Sequence, residues 1–211
     1  MTANPAAPIS FASADDNEEL ARAELYGLLA RLWLAPPDAA LLAQFSVAVT
    51  QAPQPGGFLE APWSELVGAM RATDPSRAAA EYDALFLGVG RPEVFLYGSF
   101  YLSGFLNEKP LAALRTDLAA LGLARDADRG ETEDHLAYVF EVMRYLIAGD
   151  DAAVCNLEQQ RRFFRAPVQT WVGALCDAVD AHPRAATWRA VSAFTRAFVL
   201  VETQAFDMLE T

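Results

Sequence analysis

The sequence predicts an all-α protein: a single-domain bundle of about nine helices, interrupted by one long aromatic loop in mid-chain. Three observations predict it. Apolar residues recur at three- and four-residue spacing along most of the chain, the period of one helix face. Alternating β-branched runs and Asn-Gly or Asp-Gly hairpin turns are missing. Glycines, prolines and acidic caps punctuate the apolar stretches where helices should start and stop. With 211 residues, 53% of them hydrophobic, one domain can bury a core without disulfide or metal staples. No repeat of fixed period suggests a solenoid.

Residues 1–12 read as a disordered tail, and 13–211 as the helical domain. Ser13 can cap a first helix whose acidic opening turn suits the helix dipole. Leu25, Leu28, Leu29 and Leu32 give it an apolar stripe, and Pro36-Pro37 stops it. Asp38 begins a shorter helix through Leu41, Leu42, Phe45 and Val49, and Pro53 to Gly57 is a break. Trp63, Leu66, Val67 and Met70 share one face of a helix from about Pro62 to Ala72. Asp74 followed by Pro75 is a cap and first-turn proline, opening a helix through Tyr82, Leu85 and Phe86 that ends at Gly88. Residues 88–107 then mix glycines with Phe95, Leu96, Tyr97, Phe100, Tyr101 and Phe105. A loop so long and aromatic either folds into the core or lines a surface where something apolar docks.

Lys109 to Leu121 is helical, closed by Gly122, and Arg125 to Gly130 is a charged linker. The most regular helix follows, with Leu136, Val139, Phe140, Met143, Leu146 and Ile147, and ends at Gly149. Asp150-Asp151 opens a helix through Val154, Leu157 and Phe164. Pro167 starts another carrying Trp171, Val172 and Leu175. The last begins near Pro183 and holds Trp188, Val191, Phe194 and Phe198. These aromatics read as core, and the Arg161–Arg165 run as a solvated helix face.

Charge narrows the function. Acidic residues outnumber basic ones 28 to 16, for a net charge of −12. That field repels phosphate backbones and anionic headgroups and attracts basic peptides. No nucleic-acid partner and no stable membrane insertion are expected, since no run of 18 apolar residues occurs. No export signal is evident at the N-terminus, and Cys155 and Cys176 read as thiols of a reducing compartment; a cytoplasmic protein is expected. The only histidines, His135 and His182, lack the Glu-x-x-His spacing of a bundle di-iron site. No phosphate loop or nucleophile elbow is present. No cofactor, metal site or catalytic residue is predicted.

One polar constellation remains, Glu131-Thr132-Glu133-Asp134-His135, where the linker becomes the most regular helix. Carboxylates there suit the helix dipole, and Thr132 is a candidate cap. The functional reading is an acidic, His-containing patch at a hinge spanning 125–134, able to hold an arginine in a charge-assisted hydrogen bond.

Glu81-Tyr82-Asp83-Ala84-Leu85-Phe86-Leu87-Gly88 followed by Tyr97-Gly98-Ser99-Phe100-Tyr101-Leu102 resembles the Tyr-x-x-Leu-Phe-x-Gly … Trp/Tyr-Gly/Glu-Ser-x-Tyr-Leu signature of the TorD/DmsD/NarJ family. Glu131 to Leu136 resembles that family's Glu-Pro-x-Asp-His-Ile hinge motif, and Arg22 to Ala30 its opening helix. The resemblance implies a cytoplasmic, non-enzymatic chaperone. Its partner would be a molybdoenzyme catalytic subunit, bound through the twin-arginine leader and held until molybdopterin is inserted. It also implies a monomer or a domain-swapped homodimer, with the linker as swap hinge. The implied peptide-binding residues are Tyr82, Phe86, Leu96, Tyr97, Gly98, Ser99, Tyr101, Glu131, Glu133, Asp134 and His135, with the aromatic loop lying open beside the Asp-His step. Phe95-Leu96 and Thr132 stand where the family usually has proline, which bears on which client is preferred. The alternatives are a small helical ligand- or metal-binding protein or enzyme using a pocket around His135, and an oligomerisation adaptor.

Overall fold

A computed structural model describes residues 14–48, 57–88, 90–126, 128 and 130–209. The expected tail, the Ser13 cap, Val49 and most of the Pro53–Gly57 break lie outside them. Among the described residues ten α-helices follow in order: α1 (Ala14–Leu34), α2 (Ala39–Val47), α3 (Glu60–Ala72), α4 (Pro75–Tyr82), α5 (Gly98–Ser103), α6 (Lys109–Ala120), α7 (Leu136–Ala148), α8 (Leu157–Phe163), α9 (Val172–Asp180) and α10 (Thr187–Met208). Among the described residues there is no β-strand, only an isolated antiparallel bridge between Tyr97 and His135. The all-α bundle is as the apolar periodicity predicts. The helix beyond the expected nine is α5, a short turn of helix inside the aromatic segment.

The centre is α1 packed along α7, while α10 packs chiefly on α3 and α9 and reaches α1 through side chains. Tyr26 of α1 sets its ring edge-on to Phe140 of α7 at 5.5 Å and to Phe198 of α10 at 4.8 Å. Its hydroxyl donates to Glu202, 3.0 Å away and only 2% exposed. Arg22 completes the cluster with two bonds to the same carboxylate, 2.8 and 2.9 Å. A charge this deep is tolerable only when paired and hydrogen-bonded, so Glu202 fixes the register of α10 against α1. Trp171, Trp188, Phe194 and Phe198 are all buried, as expected of core aromatics.

Caps explain most boundaries. The Asp38 carboxylate accepts from Leu41 N–H at 2.7 Å, and Asp74 caps α4 with Pro75 at its first position. One cap comes from another helix. Glu81 of α4 accepts the first N–H groups of α10, from Ala186, Thr187 and Trp188, at 2.8, 3.1 and 2.9 Å. That distant cap is why α10 begins at Thr187 and not near Pro183. At the next position, the Tyr82 hydroxyl donates to the carbonyls of Trp33 and Leu34 at 3.1 and 2.8 Å, closing the end of α1. The helix expected from Asp150 starts at Leu157, where Asn156 caps it. Pro167 does not open a helix; it sits inside the π-turn Phe164–Val168 that continues α8. A second π-turn, Asp83–Leu87, continues α4 and stops at Gly88, whose φ is 57°. A β-carbon there would collide with the Arg91 carbonyl oxygen, so only glycine fits.

Candidate functional site

The two motif segments, far apart in sequence, form one structural joint. Gly98 N–H donates to the Asp134 carbonyl at 3.0 Å, and Leu136 N–H donates to the Leu96 carbonyl at 2.8 Å. These bonds bracket the Tyr97–His135 bridge. Asp134 then works with both oxygens: one accepts from Ser99 N–H at 2.8 Å in the first turn of α5, the other from the Thr132 hydroxyl at 2.6 Å. Asp134 thus holds α5 from outside, because Tyr97, the residue before that helix, offers no side-chain cap.

His135, not Thr132, caps α7. Its Nδ1 accepts from Ala137 N–H at 3.2 Å, which requires an unprotonated Nδ1 and places the ring proton on Nε2. Only 3% of His135 is exposed. Burial pushes its pKa down to about 4, against the opposing pull of Glu131 and Asp134, so the imidazole is neutral at physiological pH. The Tyr97 ring stands edge-on to it at 5.2 Å. The Tyr97 hydroxyl donates to the Glu131 carboxylate, and burial first, then Glu131, raises that phenol well above its usual range.

Placement of the expected peptide-binding residues is therefore uneven. Tyr82, Phe86, Leu96, Gly98, Ser99, Asp134 and His135 are buried, whereas Tyr97, Tyr101, Glu131 and Glu133 are partly accessible. The aromatic segment does not lie open as a whole. Tyr101 stacks on Trp171 at 5.7 Å and donates to the Phe95 carbonyl at 2.8 Å, while Phe95 stacks on Phe100 at 4.1 Å. A β-carbon on Gly98 would lie 3.0 Å from the Trp171 ring, so the backbone itself is packed there. Only its end, Leu102, Phe105 and Leu106, presents large apolar side chains to solvent. His135, expected as a polar contact, is buried in this structure, with its Nδ1 lone pair engaged at the start of α7.

Accessible space lies to either side of the joint. The larger groove, about 450 Å³, runs between α1, α7 and the segment after α6. Ala30, Leu34, Leu118, Ala137 and Val142 give it apolar walls, and Asp126, Glu133 and Glu141 bring carboxylates, with Arg31 and Arg125 among them. Glu133 receives a two-pronged bond from Arg115, 3.0 and 2.9 Å, which holds its carboxyl below the usual range. A smaller hollow of about 130 Å³ lies on the other side, against Ser99, Leu114, Asp134 and Trp171. Sequence reasoning named Glu133 but not Arg115, Asp126 or Glu141. Nothing in their spacing marks them, since they converge only through packing. Among the described residues no group of three or more His, Cys, Asp or Glu is placed to hold a metal ion. No helix of the described residues is long and apolar enough to cross a membrane.

Residues 57–177 match the model of a family described as nitrate reductase delta subunit. Chaperone protein TorD from three strains of Vibrio cholerae is 27% identical over 138 residues, covering 62% of this chain. The chain spans 63% of the length of these curated relatives.

Proposed function

This chain belongs to the nitrate reductase delta subunit family, and from that premise we propose that it is a cytoplasmic maturation chaperone, not an enzyme. Its client is the catalytic subunit of a molybdoenzyme, recognised through the basic, partly apolar twin-arginine leader. The chaperone holds the subunit until the molybdopterin cofactor is in place and export or assembly can follow. One observation carries the reading: the 450 Å³ groove beside the 131–136 joint combines apolar walls with three carboxylates against two arginines, Arg31 and Arg125. Apolar side chains of an incoming segment bury against the walls while its arginines meet Asp126 and Glu141, and the net charge of −12 steers a basic segment toward it. The buried motif residues support this indirectly. They fix where α7 starts and hence where the groove wall stands.

Isothermal titration with the leader peptide of a molybdoenzyme subunit encoded nearby tests the proposal. Saturable binding that weakens with added salt is expected, and Glu141→Arg should lower affinity about tenfold by reversing one rim charge. No association with leader or with mature subunit would refute it.

A further inference from the structure

Helix α6 borders the groove through Leu118. We propose that it is a displaceable plug, and that the trough beneath it receives an amphipathic helix of the client carrying a basic residue where α6 carries Arg115. The inference rests on the chaperone reading and adds what must move before the client is fully seated.

Open clefts flank α6 on three sides, so few neighbours grip it beyond its own inward face. The 450 Å³ groove reaches Leu118, the 130 Å³ hollow reaches Leu114, and a third of about 280 Å³ reaches Leu121 and Phe163. The principal helix packed against α6 is α5, itself six residues long. What holds α6 down is Leu111, Leu114, Leu118 and Leu121, all buried, together with the Arg115–Glu133 pair and a looser Arg162–Asp117 pair at 3.6 Å. Corners at both ends adopt positive φ: Gly104 at 82° and Asn107 at 60° before it, Gly122 at 71° after it. A β-carbon at Gly104 or Gly122 would meet nothing within 4 Å, so neither corner is wedged by its surroundings. The described residues between α6 and α7 form no helix.

The plug's own sequence states what fits. Apolar residues at Leu111, Leu114, Leu118 and Leu121 follow the spacing of one helix face, and Arg115 places a guanidinium on Glu133 in the two-pronged geometry that arginine favours. An incoming helix with the same apolar spacing and an arginine after its second apolar residue makes the same contacts. Charge selects a basic client over a second copy of this acidic chain.

Hydrogen–deuterium exchange on the full chain tests this without and with a partner. In the free protein, amides of α6 should exchange about 100-fold faster than those of α7, because they open locally and not with the whole domain. Arg115→Ala should speed α6 by a further factor of about three and leave α7 unchanged, as loss of an exposed ion pair allows. Equal protection of α6 and α7 overturns the proposal, as does dimer formation by Arg115→Ala in light scattering, which would make a second copy the occupant. Adding the leader peptide should expose α6 amides further. If titration shows binding and α6 gains protection or stays unchanged, displacement is wrong and the chaperone reading stands. If α6 opens freely but neither leader peptide nor mature subunit binds, the chaperone reading fails and the assignment of the client as occupant falls with it.

Discussion

Replacing His135 by Asn isolates the energetic role of the buried imidazole. Asparagine can accept the same Ala137 N–H at the start of α7 but does not ionise. In the native protein the imidazole has a pKa of about 4, against 6.5 for an ordinary histidine. Because the folded value is the lower one, protons bind the unfolded chain preferentially as pH falls. The stability contributed by keeping the ring neutral is whole above pH 6.5, declines as pH drops through 6.5 toward 4, and is exhausted below that. The full shift corresponds to about 3 kcal/mol, of which about 2 kcal/mol is lost between pH 7 and pH 5. Urea unfolding at pH 7, 6 and 5 measures it. The wild type should lose about 2 kcal/mol more over that range than His135→Asn, although the variant starts about 1 kcal/mol lower from imperfect packing. Staying at or above pH 5 keeps Glu133, whose carboxyl titrates below its ordinary 4.5, out of the comparison. Parallel pH profiles for the two proteins would refute the neutral, buried cap.

Gly98→Ala drives a methyl to 3.0 Å from the Trp171 ring and should lower unfolding free energy by about 1–3 kcal/mol in urea melts. Arg22→Ala leaves Glu202 buried with only Tyr26 as a neutral donor; a loss of about 3–5 kcal/mol is expected by the same assay, and a loss under 1 kcal/mol would mean the pair is solvated. Glu81→Ala removes the three-donor cap of α10 and should cost about 1–2 kcal/mol, visible as a lower melting temperature by circular dichroism. Leader affinity should fall as salt rises from 50 to 300 mM, because the carboxylates involved lie on an accessible rim.

Periodicity made the helices legible, since each buries a stripe and repeats at three and four. Its failures share one cause, contacts between elements distant in sequence. Nothing near Pro183 reveals that Glu81 begins α10 a hundred residues later in the chain. A lone histidine after an aspartate reads as a polar contact, whereas here it is an interior cap. The aromatic segment was ambiguous because glycine-rich composition does not say which rings turn inward. Gly98 against Trp171 settles that, a contact that only the folded chain makes. Glu133 was legible as an arginine-holding carboxylate, yet its arginine turned out to be the chain's own Arg115.

Adjacent residues of α4 reach opposite ends of the chain: Glu81 starts the last helix, and Tyr82 finishes the first. The stretch shared with the delta-subunit family, residues 57–177, includes this double fastener but neither of the helices it fastens. Excised on its own, that stretch would present to water the α7 face that Tyr26 covers and would leave two capping groups with nothing to cap. The unit recognised by similarity is therefore smaller than the unit that folds, and binding experiments belong on the longer piece.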